Sequence, residues 1–343
     1  MTRPRFFAAF IGLATSFAVM ASPAAAGPED LEDTFAATFG TEARQPPSFE
    51  ALYAGNWQQR IAELADPAQG RIGVAAVDLA TGEEVMVLGD QLFPMASTSK
   101  VAIAATFLEM VEQGRYTLTS EFPLMMPVAS AKYSSTKAPV RAGQYMPAID
   151  LIEIMITRSS NPATDALLAA VGGPAVVNDW IRRQGITNFS INRDIATLVR
   201  DDGEYNPAVH IDTRDAATPR AMVRLLSGLY RGDFLSDQSR QVLLAAMSRT
   251  VTGKRRIPAH IPLEARVSHK TGSLNNTSSD IGIIECPDGR TIAVAIYVTG
   301  QGSKQAREER IAAIARALYD GFAVRAQANP TRNWANAPYA TGG

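Results

Sequence analysis

Two polar residues three positions apart open an apolar stretch of the chain. They are Ser97 and Lys100 in Phe93-Pro94-Met95-Ala96-Ser97-Thr98-Ser99-Lys100. On a helix that spacing puts both on one face. A serine hydroxyl is a weak nucleophile until a base takes its proton, and a lysine can be that base if desolvation and neighbouring cations lower its pKa. The start of a helix adds positive potential where attack would occur. Ser-x-x-Lys alone is common, because serines cap helices and lysines line solvated faces. Here two further clusters follow in order: Ser159-Ser160-Asn161, and Lys270-Thr271-Gly272-Ser273.

The elements that must bring these clusters together can be read from periodicity. Phe49 to Leu64 has helical spacing, Arg71 to Leu79 reads as a strand, and Thr81-Gly82 turns the chain into a second strand at Glu84 to Leu88. A strongly helical pattern runs from Ser97 to Glu112. Further helices are expected at Ala148 to Arg158, Pro162 to Ala170, Gly173 to Gln184, Thr218 to Arg231 and Ser236 to Met247. Strands return at Ala265 to Ser273, Asp280 to Cys286 and Thr291 to Val298, before an amphipathic helix from Ser303 to Phe322. Strands at both ends of a helical middle predict an α/β (α+β) fold. Its antiparallel sheet is built from the two chain ends and flanked by terminal helices, with an all-helical subdomain inserted.

The ends and the composition narrow the setting. Arg3 and Arg5 precede the apolar run Phe6 to Met20, and Ala24-Ala25-Ala26 offers small residues for cleavage, so residues 1–26 read as a secretory signal. Residues 27–48 read as a flexible leader, 49–325 as the catalytic domain and 326–343 as a disordered tail. Within the domain, 49–95 and 259–325 form the α/β part and 96–258 the helical part. A periplasmic or secreted monomer is expected, with no stable membrane insertion after cleavage. Cys286 is the only cysteine, so no internal disulfide is available and Cys286 reads as a core thiol. The net charge is −1, without a basic block, which argues against nucleic acid as a partner.

The three clusters in this order, with their spacing, resemble the class A β-lactamases and penicillin-recognising serine enzymes over roughly residues 49–325. The resemblance implies a β-lactam as the small-molecule substrate. It makes Ser97 the acylated nucleophile, Lys100 its activating base and Ser159 the proton relay to the departing nitrogen. The backbone N–H groups of Ser97 and Ser273 would form the oxyanion hole. Asn161 would hold the substrate's side-chain amide. Lys270, Thr271 and Ser273 would bind its carboxylate, with Arg256, from Thr252-Gly253-Lys254-Arg255-Arg256, as a further anchor.

Release of the acyl group requires activated water, which the family obtains from a loop glutamate. Arg200 to Asp215 resembles that loop, with Arg200 and Asp215 as its closing ion pair. In that register Asp202 is the base and Asn206 the water-holding asparagine, while Glu204 is an alternative base. Departures from the family are an aspartate at the base position, Ser160 in place of aspartate, and Asp165 in place of asparagine. Asp165 is expected to form a like-charge pair with Asp202.

No metal or organic cofactor is expected, since His210, His260 and His269 offer no pair at metal-ligand spacing. His269 should face away from Lys270 and be structural, and Tyr133 is a candidate at the cleft entrance. The sequence reading is therefore a serine β-lactamase acting through a Ser97 acyl-enzyme. Its alternatives are a D-alanyl-D-alanine peptidase or esterase, and a penicillin-binding protein that is acylated without efficient turnover.

Overall fold

The computed structural model describes residues 56–127 and 140–328. The signal and leader assignments, Tyr133 and residues 329–343 of the tail lie outside the described residues, while residues 326–328, expected to be disordered, continue the last helix. Among those described, no helix is long and apolar enough to cross a membrane.

Five strands form an antiparallel sheet in the order β2-β1-β10-β9-β8, where β1 is Ile72–Asp78, β2 Glu84–Val87, β8 Arg266–Leu274, β9 Thr277–Glu285 and β10 Thr291–Thr299. The chain ends therefore meet in one sheet, with β1 paired to β10 from Ile72↔Val298 to Asp78↔Ile292. Both faces of the sheet are covered, which is why β1 is buried along its whole length. Alternation divides its apolar side chains between two cores. Ile72, Val74, Ile292, Val294 and Ile296 pack under helices α1 (Asn56–Leu64) and α9 (Lys304–Ala328), against Ile61, Ile311, Ile314, Leu318 and Phe322. Ala75, Ala293, Ala295 and Tyr297 face the other way, towards α2 (Lys100–Glu112). Each large apolar side chain removed from water in this way contributes about 1.5–3 kcal/mol.

α2 is buried nearly all round, as a helix at the centre of a domain must be, and its first turn, Ala96–Ser99, winds as a 3₁₀ helix. Around it pack α3 (Ala148–Thr157), α4 (Asn161–Val171), α5 (Pro174–Arg183) and α8 (Asp237–Ser248), while α7 (Pro219–Arg231) lies against the sheet. Cys286 is a buried free thiol whose pKa burial pushes up to about 11.

The middle of the chain is not all helical. β4 (Glu121–Pro127) and β5 (Val140–Pro147) form a two-stranded ribbon, where Pro123 and Pro127 are tolerated because each strand pairs on one side only. A small sheet joins β3 (Phe93–Pro94), β7 (Ala216–Ala217) and β6 (Phe189–Ser190). It anchors the segment leading into Ser97, and Met95 N–H adds a bond to the carbonyl of Asp215 at 3.0 Å.

Candidate active site

Ser97 enters α2 from a strained residue: Ala96 has φ +49°, a left-handed conformation that L residues adopt at a cost of roughly 1–3 kcal/mol and that clusters at functional sites. β8 holds this bend from the side. A Cβ on Gly272 would lie 2.7 Å from the Met95 carbonyl oxygen and 2.4 Å from Ser279 Oγ, so only glycine lets the strand and the nucleophile's backbone approach this closely. The contact brings Ser273, the next residue on β8, to the start of α2.

The second cluster follows α3 in the same way. Ser159 has φ +58°, and Ser160 accepts from Ala163 N–H to cap α4. Serine and aspartate are comparable N-caps, which accounts for a serine where the family has aspartate. This turn points Ser159 and Asn161 at the fully buried Lys100. Lys100 Nζ donates to the Ser159 carbonyl at 2.8 Å, to Ser159 Oγ at 3.2 Å and to Asn161 Oδ1 at 2.7 Å. Lys270 Nζ donates to the same Ser159 Oγ at 3.0 Å and to the Thr271 carbonyl at 2.9 Å. Desolvation lowers Lys100 to about 7, an effect the charge of Asp165 opposes. Lys270 is held well below its ordinary value by burial first and then by the charge of Lys100. A hydroxyl has two lone pairs and one proton. With both lone pairs of Ser159 engaged by the lysines, its proton is free to be donated.

The third group departs in part from the sequence expectation. Thr271 Oγ1 shares a hydrogen bond with Thr252 Oγ1 at 2.7 Å, a partner the sequence reading passed over. Arg256 lies buried behind β8 rather than open to a ligand. Its guanidinium donates to the carbonyls of Gly272 and Ser279 at 2.7 Å each, to Ser273 Oγ at 2.6 Å, and to Glu308 Oε1 at 3.2 Å. Arg256 thus reaches the cleft through the exposed Ser273. On the face of β8 opposite Lys270, His269 Nδ1 meets the buried Asp280 carboxylate at 2.9 Å.

The loop is where the register of the sequence reading changes. Asp215 takes its ion pair from Arg193, at 2.6 Å, and Oδ1 of the same carboxylate accepts the backbone N–H of Asn192 and Arg193. Arg200 is directed to Asp201. Counted from Arg193 with the offsets that led from Arg200 to Asp202 and Asn206, the base position is the buried Ile195 and the water-holding position is Val199. Asp165 does not pair with Asp202. Its oxygens accept Ile195 N–H at 2.7 Å and Ala196 N–H at 2.9 Å, at the start of α6 (Ile195–Arg200), and burial raises its pKa to about 6. Asp202 is exposed and both its oxygens accept Asn275 N–H, at 2.8 and 3.0 Å. Asn206 Oδ1 accepts from Asn276 Nδ2 at 2.9 Å, and Glu204 pairs with Arg214. Neither Asp202 nor Asn206 is among the hydrogen-bond partners of Lys100. The sequence carried one signal for the shifted register: Asp194, followed by Ile-Ala-Thr-Leu-Val, is an N-cap before a short helix.

The profile of the β-lactamase enzyme family matches residues 56–322. β-Lactamase CTX-M-8 of Citrobacter amalonaticus is 31% identical over 272 residues, which are 78% of this chain and 90% of that protein. Among solved structures, an ancestral class A β-lactamase is 34% identical with a TM-score of 0.67, covering 78% of this chain and 100% of that one. A mutant of PBP-A, solved as an acyl-enzyme complex with penicillin G, is 28% identical with a TM-score of 0.66, covering 78% of this chain and 97% of that one.

Proposed function

The chain belongs to the β-lactamase enzyme family, and on that premise we propose that it opens β-lactam rings by acylation of Ser97 and releases the acyl group slowly. The observation that carries this reading is the convergence of Lys100 Nζ and Lys270 Nζ on one hydroxyl, Ser159 Oγ. The PBP-A mutant caught as an acyl-enzyme with penicillin G supports the same first half-reaction.

In the proposed sequence, neutral Lys100 takes the Ser97 proton as Oγ attacks the lactam carbonyl. The oxyanion is met by the N–H groups of Ser97 and Ser273, donors whose individual loss typically costs about 100-fold or more. When the C–N bond breaks, the nitrogen takes the Ser159 proton, and Ser159 is reprotonated by the Lys100 ammonium, so Lys100 ends neutral. Asn161, its Oδ1 occupied by Lys100, offers its amide NH₂ to a substrate carbonyl. An arriving substrate carboxylate favours the charged form of Lys270, while Thr271 and Ser273 supply hydroxyls and Arg256 orients Ser273.

Slow release follows from the loop. Ile195 occupies the base position, and both Asp202 oxygens are engaged by Asn275 N–H, so hydrolysis through Asp202-activated water is the less supported course. A D-alanyl-D-alanine peptidase or esterase would use the same acylation chemistry on another acyl donor. The reading extends to a monomer in the periplasm or outside the cell, without nucleic acid as a partner.

The experiment is to incubate purified protein with a chromogenic cephalosporin, following product and intact mass together, with Ser97→Ala as control. One equivalent of product and a persistent adduct, both lost in Ser97→Ala, are expected. Sustained rapid turnover would overturn the slow-release part, and no adduct at all would leave another acyl donor as the substrate.

A further inference from the structure

The loop between Arg193 and Asp215 spans 22 positions, against 15 from Arg200 to Asp215, and along it Asp202 and Asn206 meet the turn between β8 and β9. We propose that Asp202 is a positioning residue for acyl transfer, holding that turn and with it the Ser273 end of β8. The inference rests on the Ser97 acylation reading above.

β8 is the edge strand of the sheet, so its Ser273 end is paired to β9 on one side only, through Ser273↔Ser278 and Leu274↔Thr277. Edge-strand ends open locally at low cost unless something ties them. Asn275 and Asn276 are both tied. The Asn275 N–H has the bidentate Asp202 carboxylate as its acceptor, a charge-assisted bond stronger than a neutral one. Asn276, at φ +49°, donates from Nδ2 to Asn206 and accepts at Oδ1 from Arg307 at 3.1 Å. Tyr205 and Pro207 from the loop and Leu274 and Thr277 from the strands line one small cavity beneath this contact, so loop and turn meet across a continuous surface. Ser273 lies two residues before Asn275. A drift of the turn by about 1 Å would displace its N–H and hydroxyl relative to Ser97, a scale of error that costs up to roughly 100-fold in rate.

The test compares wild type, Asp202→Ala and Asp202→Asn by single-turnover acylation with the cephalosporin, by adduct lifetime in intact mass, and by amide hydrogen exchange across residues 270–280. Asp202→Ala should slow acylation about 10- to 100-fold and speed exchange at the turn. Asp202→Asn keeps an oxygen for Asn275 N–H and should restore both to within about threefold, with an adduct lifetime similar to that of the wild type. If Asp202→Asn instead lengthens the adduct lifetime tenfold or more, on the order expected for loss of a general base, Asp202 is the water-activating base and the proposal fails. Unchanged acylation and exchange in Asp202→Ala would also sink it. If the wild type is not acylated at all, the acylation reading falls by itself, and the exchange comparison still decides whether Asp202 holds the turn.

Discussion

Arg193 and Asp215 close the loop beside the catalytic cluster, 2.6 Å apart, and this pair rather than Arg200 and Asp215 sets which residue stands where the family's water-activating base would be. That residue is Ile195, whose backbone N–H is already engaged by Asp165.

Ile195→Glu should therefore supply the missing base. The adduct formed at Ser97 is expected to decay about 100-fold faster, within the range typical of general-base catalysis. Intact-mass decay curves check this, and an unchanged lifetime would mean that the register drawn from Arg193 is wrong.

The pH dependence of acylation should follow Lys100. Only the neutral amine can take the Ser97 proton, so with its pKa near 7 the rate should climb with pH through about 7 and level off above it. Asp165→Asn removes a negative charge that raises this pKa, and should move the midpoint to lower pH. A rate–pH profile for each protein decides both points.

Asp165 also makes a stability prediction. Its folded pKa, about 6, lies above that of an unfolded aspartate, so the native state favours the protonated form. The stability this confers is fully present below about pH 4 and is lost as pH rises through about 6. On passing from pH 4 to pH 7, Asp165→Asn should therefore gain roughly 1–3 kcal/mol relative to wild type, measured by denaturant unfolding at each pH.

Arg256 and Ser273 should separate structure from binding. Arg256→Ala removes a donor from the half-buried Glu308 carboxylate and from two carbonyls, with an expected loss of about 1–3 kcal/mol. Ser273→Ala, at an exposed site, should cost under about 1 kcal/mol while weakening substrate binding. Unfolding curves beside acylation KM values distinguish the two.

Gly272→Ala should damage both fold and chemistry, because the added methyl meets the Met95 carbonyl and Ser279 Oγ. A loss of about 1–3 kcal/mol is expected for overpacking, together with slower acylation, since the Met95–Ala96 backbone that yields to the methyl leads into Ser97.

Much of the architecture was legible from the chain itself. The near-continuous apolar runs in Ile72–Asp78 and Thr291–Thr299 are what strands covered on both faces require, and the spacing of Ile311, Ile314 and Leu318 follows the 3.6-residue period of a helix against a buried face. The β4–β5 ribbon was not legible, because Pro123 and Pro127 speak against a strand and only pairing on a single side removes that objection.

The catalytic cluster divides along the same line. Lys100, Ser159, Asn161 and Lys270, which hydrogen bonds join around Ser159, stand like Ser97 in short motifs on a helix start, a turn and a strand, so residue type and spacing sufficed to single them out as candidates. The roles of Asp202, Arg256 and Asp165 turned on partners distant in sequence: Asn275, Ser273 and Ile195. Several arginines and aspartates between 193 and 215 could form the closing pair at similar sequence spacing, and an ion pair's energy depends on distance and burial rather than on order along the chain. Only the packing of the loop against β7, α4 and the β8–β9 turn decides among them.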